Sequence, residues 1–97
     1  MITEIVKFNL PEGMERDEVV SLYEKTMPRW AANEALVRKY YLYDGEARTG
    51  GGVYLWPSVA DAKAAHDDAW CDMAEAMYGS RPRFQYFETP LIVDNSS

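Results

Sequence analysis

Gly50-Gly51-Gly52-Val53-Tyr54-Leu55-Trp56-Pro57-Ser58 is a strand led by three glycines that runs straight into a capped helix. Alternation places Val53 and Leu55 on one side of that strand and Gly52, Tyr54 and Trp56 on the other. Pro57 has no amide hydrogen for a central ladder, so the strand ends there. Ser58 supplies a helix N-cap, and Asp61, three residues on, a partial capping box. Glycines weaken a strand by removing side-chain packing, and they fit where a bulge, a partner strand or a ligand comes close to the backbone.

Outward from this stretch, Ile2 to Leu10 alternates as a strand, with Glu4, Val6, Phe8 and Leu10 on one face and Thr3, Ile5, Lys7 and Asn9 on the other. Pro11-Glu12-Gly13 ends it, and from Met14 the period becomes helical. Val19, Tyr23, Met27 and Trp30 form one stripe, Glu15, Asp17 and Glu18 sit in the first turn, and Pro28 predicts a break or kink near Thr26. Ala35 to Tyr43 reads as the second strand, joined through Asp44-Gly45 to the glycine strand. Ser58 to Tyr78 reads as one long helix with Val59, Ala62, Ala65, His66, Ala69, Trp70, Met73, Ala76 and Met77 on its apolar side and Gly79 at C′. Arg83 to Val93 supplies the last strand, kinked or placed at an edge by Pro90.

The order βαββαβ predicts an α+β, ferredoxin-like fold: an antiparallel four-stranded sheet with two helices on one face. Ile5, Val53 and Leu55 make the second face apolar as well. A homodimer with sheet packed on sheet is the simplest cover for it.

With 97 residues the chain is expected to form one domain over 1–97, and its net charge of −6 argues against nucleic acid or an anionic membrane as partner. Cys71 is the sole cysteine, which excludes an intrachain disulfide and fits a reducing cytoplasm. Neither a signal peptide nor an apolar run of membrane-spanning length is evident, so a cytoplasmic protein is expected.

His66, the one histidine, has two readings. It is a general base for a phenol or enol bound between sheet and helices, or a helix-edge histidine paired with Asp67 or another carboxylate. Tyr23, Trp30, Tyr54, Trp56 and Trp70, with Phe8 on the inward face of the first strand, either line a flat apolar pocket for an aromatic substrate or fill the core. The absent side chains at positions 50 to 52 favour open space there. The glycine triplet lacks the lysine and helix start of a phosphate loop. One histidine with scattered acids makes no zinc site; one histidine without a Cys-x-x-Cys-His attachment motif leaves haem degradation as the minority reading, and the expectation is neither metal nor cofactor.

Gly51-Gly52-Val53-Tyr54-Leu55, leading through Trp56 into a helix from Ser58, and Phe87-Glu88 shortly before Pro90-Leu91, resemble the dimeric α/β-barrel superfamily. The pattern is most similar to its YdhR-like and antibiotic-biosynthesis-type monooxygenases. The resemblance implies a barrel formed by two sheets, an apolar cavity in each subunit and a cofactor-independent oxygenase reaction. In several families of the superfamily a histidine of the second helix is base or ligand, and His66 falls one residue from that position. The expectation is therefore a homodimeric monooxygenase for an apolar aromatic or polyketide-like molecule, with His66 as base and Tyr54 or Tyr23 donating to the oxyanion. A non-redox cyclase or isomerase using the same pocket, and a non-catalytic small-molecule-binding module, are the alternatives; a fold of this kind does not by itself fix the chemistry.

Overall fold

The computed structural model describes residues 1–96, in the order β1 (Ile2–Asn9), α1 (Arg16–Ala31), β2 (Arg38–Asp44), β3 (Thr49–Trp56), α2 (Val59–Ala65), α3 (Asp68–Tyr78) and β4 (Arg83–Glu88). Among the described residues the four strands form one antiparallel sheet ordered β2-β3-β1-β4, a ferredoxin-like α+β fold. The glycine strand is internal: Tyr54 lies opposite Glu4 of β1 and Lys39 of β2, and Gly50 opposite Phe8 and Tyr43. Strand parity follows the alternation, and Glu4, Val6, Phe8, Tyr54 and Trp56 are buried beneath Val19, Tyr23 and Trp30 of α1, Ala62 of α2 and Trp70, Ala74 and Tyr78 of α3. No helix among the described residues is long and apolar enough to cross a membrane.

The second helical segment is two helices, not one. His66 leaves helical geometry (φ −111°, ψ 55°), and Asp67 then caps α3 by accepting from the Trp70 amide at 2.8 Å. His66-Asp67-Asp68 thus ends one helix and starts another, with Asp68 in the favourable first turn. The break rotates the second half of the expected stripe: Trp70, Cys71, Ala74 and Tyr78 are buried, while Ala69, Met73 and Ala76 are exposed. Ser58 caps α2 as expected, its hydroxyl accepting from the Asp61 amide at 3.2 Å and donating to the Asp61 carboxylate. Gly79 closes α3 in the left-handed conformation, at φ 92°.

Pro28 does not break α1, which runs through it to Ala31. A helix-interior proline costs about 3 kcal/mol. Burying Trp30 beyond it removes roughly 200 Å² of largely apolar surface, worth about 5 kcal/mol, so continuing the helix wins. Met27, expected in the apolar stripe, is instead exposed. β2 starts three residues later than the apolar pattern suggests, although Val37 already donates to the Leu55 carbonyl at 2.9 Å. β4 stops at Glu88, so Leu91, Ile92 and Val93 lie outside the sheet and exposed.

The room left by the glycines is filled. A Cβ on Gly50 would lie 2.5 Å from the Tyr23 hydroxyl and 2.8 Å from the Phe8 ring. One on Gly52 would lie 3.0 Å from the Tyr54 ring and 3.2 Å from the Lys39 stem. Tyr23 uses this access to donate to the Leu42 carbonyl at 2.8 Å and accept from the Gly51 amide at 2.9 Å, bonding α1 to two strands. Tyr23→Phe strands the buried Gly51 N–H and is expected to lower stability by about 1–3 kcal/mol. Urea unfolding with an unchanged m-value measures this, and an unshifted midpoint would show that the hydroxyl contributes nothing.

The opposite face of the sheet carries Ile5, Leu42, Val53 and Leu55, all half-buried, with Tyr40 and Phe87 exposed. Thr3, Lys7, Arg38, Arg83 and Gln85 share this face, so its apolar centre has a polar and basic surround.

Candidate active site

The inward position of β1 next to Val6 holds a carboxylate, Glu4, whose side chain is fully buried. A buried charge is tolerated only when paired and hydrogen-bonded, and three groups meet here. Trp56 Nε1 donates to Glu4 Oε1 at 2.9 Å, and His66 Nδ1 lies 2.9 Å from each carboxylate oxygen. Burial, and then the charge of Glu4, push the hydroxyl of Tyr86, which lies opposite Glu4 on β4, up to about 12. The helix break is what delivers His66 to this partner.

With Glu4 as carboxylate and the imidazole neutral, Nδ1 carries the proton and Nε2 a lone pair. His66 Nε2 is the buried side-chain nitrogen without a hydrogen-bond partner among the described residues. Rings enclose the imidazole: Trp70, Tyr54, Trp30 and Phe84 have centroids 4.4, 4.6, 5.1 and 5.4 Å from its own. The alternative reading, a helix-edge histidine paired with Asp67 or another carboxylate, fits in part: His66 ends α2 and pairs with a carboxylate, that of Glu4, but its imidazole is buried and not half-exposed, and Asp67 caps α3.

Phe8, Tyr23, Trp30, Tyr54 and Trp70 line one cavity together with Arg29, Lys39, Tyr41 and Tyr78. His66 and Trp56 do not line it; His66 is one ring removed, against Trp30, Tyr54 and Trp70. The cavity measures about 30 Å³. That is room for a water or a dioxygen molecule, against about 300–1,000 Å³ for a ligand pocket. A ring substrate enters only if side chains move. Phe8 stacks on Tyr78 at 4.3 Å, and burial pushes the Tyr54 and Tyr78 hydroxyls well up and that of Tyr23 to about 12. All three are donors, not anions, at neutral pH.

Lys39, Glu4 and Arg29 were not among the residues singled out by sequence. Their signal was parity: Glu4 shares a face with Val6 and Phe8, and Lys39 shares one with Tyr41. Lys39 Nζ stands 3.9, 4.4 and 4.6 Å from the ring centroids of Tyr41, Trp30 and Tyr54. Burial brings its ammonium down from 10.5 to about 7, with Glu4 opposing that shift and Arg29 adding to it. The three π faces favour the charged form. No carboxylate forms an ion pair with it among the described residues. No group of three His, Cys, Asp or Glu side chains able to hold a metal occurs among the described residues.

No family model matches the sequence, and no curated protein sequence matches it either. Solved structures do match by fold. A protein of unknown function from Nitrosomonas europaea superposes with a TM-score of 0.76 at 18% identity, over 99% of this chain and 95% of that one. SnoaB, a cofactor-independent oxygenase from Streptomyces nogalater, matches with a TM-score of 0.67 at 16% identity, over 95% of each chain. The monooxygenase ActVA-Orf6 of Streptomyces coelicolor, solved with nanaomycin D, gives 0.70 at 13% identity, over 98% of this chain and 92% of that one. The structural neighbours thus include antibiotic biosynthesis monooxygenases, and at these identities what is shared is the fold.

Proposed function

We propose that this chain, built on the fold of the antibiotic biosynthesis monooxygenases, oxidises an apolar aromatic or polyketide-like phenol without a tightly bound cofactor. The observation that carries the reading is His66 Nε2: buried, unpartnered, and aimed among the rings that adjoin the cavity, with Nδ1 held by Glu4. A buried polar atom without a partner calls for an explanation, and a proton acceptor awaiting an acidic hydroxyl is one. Trp30 or Trp70 must swing aside for a substrate hydroxyl to reach it.

The reaction balances with dioxygen alone. His66 takes the phenol proton, and the electron-rich phenolate reduces dioxygen and combines with it as a ring hydroperoxide. Loss of water then leaves a quinone. One oxygen atom becomes the new carbonyl, the other leaves as water, and the ring supplies all four electrons. Tyr54 or Tyr23 donates to the substrate oxyanion, and the sealed surroundings protect the intermediate. The uncovered apolar sheet face supports pairing of two copies, sheet on sheet.

An oxygen electrode with quinol and naphthol substrates tests this. Dioxygen consumption by the wild type that His66→Gln abolishes supports the proposal; substrate converted with no oxygen uptake sinks it in favour of a cyclase or isomerase. The small cavity favours a second reading, a ligand-binding domain without turnover, in which substrates return unaltered and His66→Gln binds them as the wild type does.

A further inference from the structure

A second recess lies outside the small aromatic cavity, between the end of α1 and the start of β2. It is an open groove of about 330 Å³, bordered by Met27, Trp30, Leu36, Val37, Arg38, Lys39 and Tyr41. This is within the size range of small-molecule sites. Its wall is apolar apart from two cations, and it contains no carboxylate. Arg38 is already engaged, 3.7 Å from Asp94, whereas Lys39 forms no ion pair among the described residues. Lys39, Trp30 and Tyr41 border both the groove and the small cavity and so form the partition between them.

We propose that this groove binds a flat aromatic anion, whose negatively charged oxygen is received by Lys39 at its inner end. In a chain of net charge −6, an ammonium with no ion pair among the described residues, beside an apolar groove, is a local reversal of sign. An ordinary surface lysine would point to water, but this stem lies over Gly52, where any Cβ would crowd it, and the ammonium sits among three rings. The rings and the apolar rim receive the ligand's ring, and Lys39 supplies the charge-assisted hydrogen bond. The ionised enol of a hydroxyquinone and an aromatic carboxylate share this chemistry. The inference rests on the proposed substrate class but not on turnover: the groove is the antechamber through which such a ring meets the partition.

The test is binding, read by calorimetry. Lawsone, a hydroxynaphthoquinone ionised at neutral pH, is compared with its methyl ether, which has the same ring and no charge. Naphthoate is compared with naphthamide to tell enolate from carboxylate. The anion of at least one pair is expected to bind about tenfold more tightly than its neutral twin, the worth of one charge-assisted hydrogen bond. Lys39→Met is expected to abolish that preference while leaving the neutral twin's affinity in place, and Lys39→Arg to retain most of it.

The groups facing Lys39 are Glu4 from β1, Arg29 from α1, and Tyr41 and Tyr54 from β2 and β3. Burial raises both tyrosine hydroxyls, which stay protonated near neutrality. As pH rises from about 6 to about 9 Lys39 passes from ammonium to amine, so anion affinity falls in the wild type and stays flat in Lys39→Met. Equal affinities within both pairs, a preference that survives Lys39→Met, or no binding of any probe overturns the proposal. A Lys39-dependent preference with no oxygen uptake would sustain the site and remove only the oxygenase reading.

Discussion

Gly51→Ala is expected to leave little folded protein at room temperature. Gly51 has φ 151°, and a Cβ built there falls within bonding range of the Val6 carbonyl oxygen and 2.8 Å from its carbon. Those are backbone atoms of the neighbouring central strand, so no rotamer change relieves the clash, and β1 must part from β3. The conformation exists because the Gly51 amide turns toward the Tyr23 hydroxyl at 2.9 Å. Alanine would lose that bond along with the ladder. The expected loss is at least about 4 kcal/mol, against a total of roughly 5–10 kcal/mol for a domain of this size. It would appear as a fall in Tm of about 15–30 °C, or as no cooperative transition at all. Gly52→Ala is the milder case, since its Cβ meets the Tyr54 ring at 3.0 Å, the Tyr40 carbonyl oxygen at 3.1 Å and the pliant Lys39 stem at 3.2 Å, all contacts that a shift of a few tenths of an ångström relieves. A Gly51→Ala protein with a wild-type Tm would show that the chain does not adopt this backbone.

The second large effect lies in the buried pair. His66→Ala removes a hydrogen-bond donor to a fully buried Glu4 and is expected to cost about 3 kcal/mol, because a buried carboxylate is left under-satisfied. Loss of turnover in that variant would therefore not separate chemistry from folding. His66→Gln does separate them: its amide N–H still reaches the carboxylate, but it offers no imidazole lone pair. If His66 is the base, His66→Gln keeps a melting transition within about 10 °C of wild type while kcat falls about 10²- to 10⁴-fold. Wild-type kcat in a folded His66→Gln protein would make the imidazole a structural partner of Glu4 and nothing more. Glu4→Gln adds the positioning readout: it leaves Nε2 in place but frees the ring to turn, and is expected to lower kcat with little change in KM.

Much of the architecture was legible because it depends on local pattern. Alternation in Ile2–Leu10 and Gly50–Trp56 assigned the inward faces, and the register of β1 on β3 agrees residue by residue. Ser58 and Gly79 marked helix ends through backbone hydrogen bonding and left-handed geometry, both properties of single residues. The helix break escaped notice because the apolar spacing across His66 is compatible with an unbroken helix. What ends the helix is a partner 62 residues away in the chain, together with the capping capacity of Asp67.

For the site, parity read from sequence brought Phe8, Tyr23, Trp30, Tyr54 and Trp70 to one cavity, as aromatic residues on inward faces must converge between sheet and helices. Sequence left Trp56 and His66 among them, and only the packing sets these two behind the wall, on Glu4. The glycines announced a close approach, but alternation carries no information about what approaches: Tyr23, Phe8 and Lys39 take the space, and the cavity shrinks to about 30 Å³. The sequence alone determined the sequence of the four strands, the helical segments between them and the inward strand faces, since each follows from periodicities of 2 and 3.6. The tertiary structure decided that Glu4 pairs with His66, that Lys39 stands among three rings with no ion pair among the described residues, and that the cavity is small. Those are distances between side chains remote in the chain, and they are set by volume and desolvation in the assembled core.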